Sequence, residues 1–235
     1  MLKKLTLKVI FTSLFMLLFA CSSKEKTKIK IAVHPTMDSF PLFIGIKEGI
    51  FESEGINLEL VSFESAVERE KAFQEKSVDG ACDDFISACL TYKKVPLSII
   101  AVSMEEHANG GRVAILSSPQ SKILNLEELK TKEVAIAKNT LIQYVGDRIL
   151  SENFISPDLV KKISVNNIPI RLNLLVEDKL QAAIMREPFI TYAQLRGAHL
   201  LADDHNLELC SNVITFHKSF LKKHPKTVKK FMKAY

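Results

Sequence analysis

Apolar and polar positions follow a regular pattern through residues 29–63. Alternation with a period of two in IKIAV predicts a β-strand, which ends at Pro35 because proline has no amide hydrogen to donate to a sheet. Apolar residues then recur every three or four positions from Leu42 to Phe51, as on one face of an amphipathic helix. Gly55 can adopt the left-handed conformation that ends a helix, and the alternation resumes at Ile56. The pattern therefore predicts a strand, a helix and a strand in one βαβ unit.

Similar patterns continue to the end of the chain. Further strands are predicted at residues 78–82, 95–104, 112–116, 133–137, 160–165, 179–185, 197–201 and 211–216. Helices are predicted between them at residues 66–76, 85–92, 126–129, 140–153 and 168–176. Strands that alternate with helices favour the α/β class, in which the sheets are mostly parallel.

The first residues have the features of an export signal. Three lysines precede an apolar run at residues 9–20, which is shorter than a comfortable membrane span. The run ends in LLFAC, which resembles the bacterial lipobox, whose cysteine becomes the lipidated first residue of the mature protein. We therefore expect a signal peptide at residues 1–20, lipidation at Cys21 and a tether at residues 21–28; an uncleaved membrane anchor is the alternative. Both place the globular part outside the cytoplasmic membrane, attached to the cell membrane.

Charge and cysteine content exclude several classes of protein. The chain has 32 basic and 27 acidic residues, and removal of the signal lysines leaves 29 against 27. These lysines are scattered among acids on helical faces, so we expect no nucleic-acid partner. The cysteines other than Cys21 are Cys82, Cys89 and Cys210, an odd number without a CxxC pair or clustered histidines. We therefore expect buried thiols, and neither a disulfide framework nor a metal site nor a cofactor.

The segment after the tether resembles a known family. A first strand IKIAV, a helix PLFIGIKEGIFESEGI and the following NLELV resemble the substrate-binding proteins of ABC importers for nitrate, taurine, alkanesulfonates and thiamine-pyrimidine precursors. The resemblance implies a two-lobed periplasmic-binding-protein type II fold, each lobe a mostly parallel sheet flanked by helices. It also implies an ABC permease as partner and a small molecule as ligand. The final SFLKKHPKTVKKFMKAY resembles the start of the family's C-terminal helical region, so the fold could lack some C-terminal helices.

The resemblance implies a division into lobes. We expect lobe 1 at residues 29–108, lobe 2 at residues 112–205 and a return to lobe 1 at residues 206–235. Between the lobes, Asn109, Gly110 and Gly111 are the candidate hinge, because two successive glycines permit wide backbone excursions and the position resembles the family's first crossover. A simple loop is the alternative.

Ligands of open α/β sheets bind beyond the carboxyl ends of the strands. The loop after the first strand therefore supplies the candidates Thr36, Asp38 and Phe40. Asp83 and Asp84 follow the strand predicted at residues 78–82. Together with the DGA of that strand they resemble the family's DGA…D element. We expect Asp84 to cap the next helix, as aspartate commonly does, and Asp83 to face the ligand.

Two further junctions complete the candidate site. Asn139 or Thr140 is expected to cap the helix that follows residues 133–137, and the free amides there could receive an electronegative ligand atom. In several members of the family a Glu-Pro pair opens a helix beside the cleft, which makes Glu187 a ligand candidate. Proline in a first helical turn is a purely structural explanation of that pair.

The composition of the candidate site suggests the chemistry of the ligand. Its carboxylates come from Asp38, Asp83, Asp84 and Glu187. The nearby cations are Arg186 and Lys138, and the rings that could stack on a ligand are Phe40, Phe85 and Phe189. An acidic site with aromatic rings favours an aminopyrimidine-like thiamine precursor over an oxyanion such as a sulfonate or nitrate.

No catalytic residues are predicted. Glu105, Glu106 and His107 have no nucleophile visibly paired with them, so solvated loop charges are the preferred interpretation. The fungal pyrimidine synthase of the thiamine pathway shares the fold and is the enzymatic alternative. Its cysteine-rich motif is not apparent here, and an export signal argues against a cytosolic biosynthetic role. A signalling or adhesion lipoprotein that has lost transport is a third hypothesis.

The lipobox interpretation makes a direct prediction. Cys21→Ala should abolish lipid labelling and processing by signal peptidase II, because the cysteine sulfur carries the lipid. Metabolic labelling with a fatty acid followed by gel analysis measures both. Unchanged labelling of the variant would contradict the lipoprotein hypothesis.

Overall fold

The computed structural model describes residues 27–103, 113–207 and 212–235. The predicted signal peptide, Cys21, the hinge residues Asn109, Gly110 and Gly111, and Cys210 lie outside these ranges. The first strand begins at Thr27, so the last two residues of the predicted tether belong to the sheet. None of the described helices is both long enough and apolar enough to span a lipid bilayer.

Ten strands and nine α-helices make up the described part of the chain. The strands are β1 (Thr27–Val33), β2 (Ile56–Ser62), β3 (Gly80–Asp84), β4 (Leu97–Ser103), β5 (Val113–Ser117), β6 (Glu133–Ile136), β7 (Lys161–Ser164), β8 (Ala182–Arg186), β9 (His199–Asp203) and β10 (Asn212–His217). The helices are α1 (Phe40–Lys47), α2 (Ile50–Ser53), α3 (Ala66–Gln74), α4 (Phe85–Tyr92), α5 (Leu141–Glu152), α6 (Ile168–Val176), α7 (Phe189–Leu195), α8 (Lys218–Lys223) and α9 (Pro225–Ala234). Short 3₁₀ turns lie at Met37–Ser39, Leu126–Leu129 and Pro157–Leu159.

The strands form two sheets of the same design. Sheet 1 has the order β2-β1-β3-β10-β4, and sheet 2 has the order β7-β6-β8-β5-β9. In each sheet four strands point the same way, and the fourth strand in order runs antiparallel to both neighbours. Those antiparallel strands, β10 and β5, are the ones the chain enters after leaving the other sheet. The predicted α/β fold of two mostly parallel sheets flanked by helices is confirmed.

Helices cover both faces of sheet 1. Ile29 and Ile31 of β1 face one apolar cluster, in which they pack with Phe51 and Phe216. Ala32 faces the opposite side of the sheet, where it belongs to a second apolar cluster around Phe73. A parallel strand buried on both faces needs a nearly continuous apolar run, which explains the sequence IKIAV.

Strand β10 also explains the DGA element. A Cβ atom at Gly80 would lie 2.5 Å from the carbonyl oxygen of Thr215 in β10, so only glycine fits beside this strand. Pairing with β10 also extends β3 to Asp84, although the sequence predicted its end at residue 82. The prediction was too short because the paired strand lies 128 residues further along the chain.

Two other local predictions are corrected. The helix predicted over residues 42–51 is broken into α1 and α2, because Gly49 has a left-handed backbone with φ of 68°. Gly55, at φ of 76°, does follow the end of α2 as predicted. Cys82 is buried as expected, but Cys89 is exposed, because it lies on the outer face of α4.

Helix α9 packs back on lobe 1, the part of the chain built on sheet 1. The ring of Phe231 is fully buried and lies 5.4 Å from the ring of Phe51 and 5.3 Å from that of Phe216, measured between centroids. Tyr235 also stacks on Phe231, with 6.0 Å between the ring centroids. The last described helix is therefore part of the apolar core.

This packing predicts the effect of truncating Phe231. Phe231→Ala should lower the free energy of unfolding by roughly 3–5 kcal/mol, because it removes a buried ring and leaves a cavity. Urea unfolding followed by circular dichroism measures the change. Met232→Ala is the matched control: its side chain is 39% exposed, and we expect a change within about 0.5 kcal/mol. Equal effects of both variants would show that α9 is not part of the core.

Candidate functional site

A cavity lies between the two sheets, where the carboxyl ends of their parallel strands face each other. Lobe 1 contributes His34, Ala66 and Asp84 to its wall. Lobe 2, built on sheet 2, contributes Ala137, Thr140, Leu141, Ile142, Asn166, Ile168, Arg171 and Arg186. Most of these residues follow the carboxyl end of a strand, as the topology of an open α/β sheet requires. We call this cavity the cleft.

The lobes contact each other around the cleft. The amide of Ile168 donates to the carbonyl oxygen of Glu64 at 3.0 Å, and the side-chain amide of Asn167 donates to the Glu64 carboxylate at 2.8 Å. Ile86 of lobe 1 packs against the apolar cluster of lobe 2. The cavity volume of about 30 Å³ is enough for only a few water molecules. The structure is therefore a closed conformation.

A buried ion pair joins the lobes across the cleft. The guanidinium of Arg186, at the end of β8, bonds the carboxylate of Asp38, which follows β1, and the two side chains are only 8% and 10% exposed. Asp38 also accepts hydrogen bonds from Asn212 at 2.8 Å and from Thr36 at 3.2 Å. Removal of one partner from such a pair leaves a buried charge uncompensated, at a cost of roughly 3–5 kcal/mol. The pair thus links the two lobes, and their separation must expose both charges to water.

A second buried cluster lies behind the wall of lobe 1. Arg69 of α3 is 3% exposed, bonds the Asp83 carboxylate and donates to the carbonyl oxygen of Cys82 at 3.3 Å. Burial raises the pKa of Asp83 to about 7, and the positive charge of Arg69 opposes the shift. Burial also raises the pKa of the Cys82 thiol to about 12, so this cysteine is not a nucleophile.

Asp84 has a different role from its neighbour. Its carboxylate accepts from the amide and from the hydroxyl of Ser87, both at 2.7 Å, and so caps α4. The predicted helix cap is confirmed. Asp84 also forms part of the cleft wall, so the same side chain is placed for a ligand.

The side chain of His34 lies in the cleft wall and can accept a hydrogen bond there, a role that the sequence pattern did not predict. Its Nδ1 lies 2.9 Å from the carbonyl oxygen of Phe63, so Nδ1 must carry the hydrogen and Nε2 a lone pair. Burial, with the charges of Arg69 and Arg186 nearby, holds the pKa of His34 well below its ordinary value. The imidazole in the cleft wall is therefore neutral.

The remaining predicted residues are placed as follows. Thr140 lies in the cleft wall and caps α5, accepting from the amide of Ile142 at 3.2 Å, as predicted. Asn139 is exposed with φ of 60°, and its amide donates to Gln143. Glu187 accepts from the amide and hydroxyl of Thr191, one turn further on. Phe40 is 53% exposed.

The structure thus brings four predicted residues to one place. Asp84 and Thr140 are in the wall of the cleft. Asp38 pairs with the wall residue Arg186, and Thr36 donates a hydrogen bond to Asp38. Asp83 turns to Arg69 behind the wall, and the contacts described for Asn139 and Glu187 are local ones. Ligand contact by each of the eight residues stays a prediction.

The expected set of cations is corrected. Lys138 is exposed and outside the cleft wall, whereas Arg69 and Arg171 are buried beside the cleft. Arg171 donates to the carbonyl oxygens of Ile184 at 3.1 Å and Val165 at 2.5 Å, and burial lowers its pKa to about 10. The site is therefore close to charge balance, not acidic. The single charged residue in the mostly apolar IPIRLNLLV was the signal that could have revealed Arg171.

The aromatic prediction also changes. Phe189 packs against the apolar cluster of lobe 2 and not in the cleft. Phe85 is 48% exposed on the first turn of α4. Among the residues that the structure describes, no group of three or more His, Cys, Asp or Glu side chains could hold a metal ion.

Comparisons with known proteins identify a family and several solved structures with a similar fold. A family model described as NMT1/THI5 like matches residues 36–235. The alkanesulfonate-binding protein SsuA from Xanthomonas axonopodis pv. citri is 16% identical over 90% of this chain and 73% of its own, with a TM-score of 0.78. A ligand-binding component of an ABC-type import system from Staphylococcus aureus is 17% identical over 89% and 72%, with a TM-score of 0.74. The periplasmic nitrate-binding protein NrtA from Synechocystis PCC 6803 is 14% identical over 89% and 60%, with a TM-score of 0.67.

At these identities the structural matches establish the fold. The predicted periplasmic-binding-protein type II architecture is confirmed. No curated protein matches the chain in sequence.

The environment of His34 predicts a pH dependence of stability. The folded protein keeps His34 neutral, whereas the unfolded chain takes up a proton below the ordinary pKa of 6.5. At His34 the unfolded state then binds more protons, so the contribution of this residue to stability is fully present above pH 6.5 and falls as the pH drops below it, by up to about 1.4 kcal/mol per pH unit. Asp83, whose pKa is raised to about 7, keeps its proton in the folded state over the same range and contributes a slope of opposite sign, so His34 is measured as the difference between the parent and a variant. Urea unfolding at pH values on both sides of 6.5 measures this slope.

Variants separate His34 from the other histidines. His34→Gln should remove the His34 contribution from the slope, leaving the parts due to His217, whose pKa is also lowered by burial, and to Asp83. His205→Gln, at an exposed position, is the control and should keep the slope of the parent. A slope that is the same in all three proteins would mean that His34 is not held neutral.

Proposed function

The chain belongs to the NMT1/THI5-like family, and from this premise we propose that it is an extracytoplasmic solute-binding lipoprotein of an ABC importer. The observation that carries the proposal is the cleft itself, whose wall comes from both lobes and whose charged residues meet across it. The similar structures described as an alkanesulfonate-binding protein and as a ligand-binding component of an ABC-type import system support the same function.

Binding would follow from the closure of the lobes. A cavity of about 30 Å³ is far smaller than the roughly 300–1,000 Å³ of typical ligand pockets, so a ligand must enter while the lobes are apart, and the form that holds it must be more open than this structure. Closure then moves lobe 2 toward lobe 1 about the segments that connect β4 to β5 and β9 to β10. A ligand favours the closed form only by the extra contacts that it makes there.

We propose an amine-bearing heterocycle, such as an aminopyrimidine-like thiamine precursor, as the ligand. Both cleft arginines already have protein acceptors, Arg186 in Asp38 and Arg171 in two carbonyl oxygens. The acceptors suited to amino groups are Nε2 of neutral His34 and the carboxylate of Asp84, which accepts from Ser87 and lies 3.8 Å from the Arg69 guanidinium but keeps further lone pairs. Thr140 and Asn166 supply further polar groups.

Oxyanion binding is the alternative. It is favoured by the presence of Arg171 and Arg186 in the cleft wall, and it would require a sulfonate or nitrate to compete with Asp38 for Arg186. An enzyme of the pyrimidine synthase type is the second alternative, because the family includes enzymes. Return of the ligand in unchanged form after binding would separate transport from catalysis.

Delivery to a permease requires a location at the membrane. We propose attachment through a lipid on Cys21, on the extracytoplasmic side, with the permease as protein partner and no nucleic-acid partner. The motif LLFAC and the apolar run before it support the anchor.

Thermal melting with a panel of ligands tests the proposed specificity. A ligand at 100 times its dissociation constant should stabilise the protein by roughly 2.7 kcal/mol, which is a clear shift. We expect stabilisation by aminopyrimidines and none by nitrate, taurine or a simple alkanesulfonate. Stabilisation by an oxyanion and by no amine-bearing ring would contradict the proposed ligand class.

A variant in the cleft sharpens the test. Asp84→Asn should lose most of the stabilisation by aminopyrimidines, because it removes the charge while asparagine still caps α4. Asp158→Asn, at an exposed position near the other end of β7, is the control and should respond like the parent. Equal responses of both variants would exclude Asp84 as a ligand contact.

A further inference from the structure

The last two helices carry a concentration of positive charge. They contain seven lysines and no acidic residue: Lys218, Lys222, Lys223, Lys226, Lys229, Lys230 and Lys233. All seven are exposed. The rest of the mature chain therefore has 22 basic against 27 acidic residues, so the lysines here are an exception to the mixed charges elsewhere.

The lysines of α9 form a single stripe. Lys226, Lys229, Lys230 and Lys233 have the spacing i, i+3, i+4 and i+7, which places them on one face of the helix. Val228 and Phe231 are buried on the opposite face, against lobe 1. Because the core fixes the apolar face, the lysine stripe must face outward. We call α8 and α9 with their seven lysines the lysine surface.

The lysine surface lies at the end of sheet 1 opposite the cleft. Lys230 donates to the carbonyl oxygen of Glu54 at 2.9 Å, and Lys233 pairs with the Glu54 carboxylate at 2.5 Å. Glu54 comes two residues before Ile56, which pairs with Thr27 at the start of β1. Thr27, the first described residue, therefore lies at the same end of sheet 1 as the lysine stripe.

The proposed lipid anchor lies close to this end. Five residues lie between Cys21 and Thr27, and the six Cα–Cα steps that join these two residues span at most about 20 Å when fully extended. A lipid on Cys21 would thus hold this end of lobe 1 within a short distance of the membrane. Electrostatic attraction to lipid headgroups acts over a Debye length of about 8 Å at physiological salt, which the tether allows the lysines to reach.

We propose that the lysine surface is a docking surface for the anionic headgroups of the membrane, which holds the protein in a resting orientation with the cleft turned to the extracytoplasmic side; delivery to the permease then requires the protein to leave this surface and turn on its tether. The inference rests on the membrane attachment in the proposed function. An anionic bilayer fits better than a nucleic acid, because the anchor brings this end of the molecule to the membrane. Polybasic segments next to a membrane gain affinity with each lysine near the surface.

Vesicle sedimentation tests the proposal. The chain from Ser22 onward contains every described residue and lacks the proposed anchor, so its binding reports on the surface alone. We expect it to bind phosphatidylglycerol-containing vesicles at low salt, to be released at high salt, and not to bind pure phosphatidylcholine. Replacement of Lys222, Lys223, Lys226 and Lys229 by glutamine should weaken binding at least about tenfold.

Matched controls identify the cause of any effect. Replacement of Lys122, Lys132, Lys138 and Lys179 by glutamine makes the same change of net charge on lobe 2 and should weaken binding less than about twofold. Equal losses in both sets, or no preference for anionic vesicles, would overturn the proposal. Full competition by inorganic phosphate at constant ionic strength would overturn it in favour of a discrete phosphate site.

Two outcomes separate this inference from the proposed function. Tighter binding to single-stranded DNA than to anionic vesicles at equal phosphate concentration would overturn the lipid assignment, while leaving solute binding in the cleft unaffected. Absence of lipid on Cys21 would contradict the anchor, but the vesicle preference of the chain from Ser22 would still support or overturn the lysine surface.

Discussion

The buried ion pair between Asp38 and Arg186 is the interaction on which the closed cleft depends. It joins the loop after β1 to the end of β8, and Asn212 ties it to the start of β10. Two charges with so little exposure are stable only when each has the other, so separation of the lobes must be accompanied by hydration of both. A ligand that enters the cleft must make contacts that replace those lost from the pair.

The design of the sheets explains how the pair comes together. In each sheet the parallel strands end at the cleft. The antiparallel strand of each sheet is the one that the chain enters after leaving the other sheet. The chain therefore passes between the lobes twice, and the polar loops of both lobes meet at one place. The start of β1 and helix α9 lie at the opposite end of sheet 1. The proposed site of ligand capture and the proposed membrane-docking surface are thus at opposite ends of sheet 1.

The sequence determined the parts that depend on near neighbours. Period-two and helical spacing predicted the βαβ units, and Asp84 and Thr140 were predicted as caps because capping is satisfied within one turn. Gly55 was predicted to end a helix because its conformation is a local property. The carboxyl ends of the strands were predicted as the site from topology alone, and the cleft lies there.

Only the tertiary structure decided which charges share the cleft. The partners of Asp38 and Asp83 are 148 and 14 residues away, Arg186 and Arg69, and no local spacing links either pair. The full extent of β3 depended on β10, whose partner residues are distant in the chain. An acidic site was predicted because carboxylates cluster visibly at strand ends, whereas arginines reach the same place from helices and their burial depends on packing. Helix caps and strand patterns depend on residues that are close in the chain, so they can be predicted from the sequence. Which charges neutralise one another depends on long-range packing.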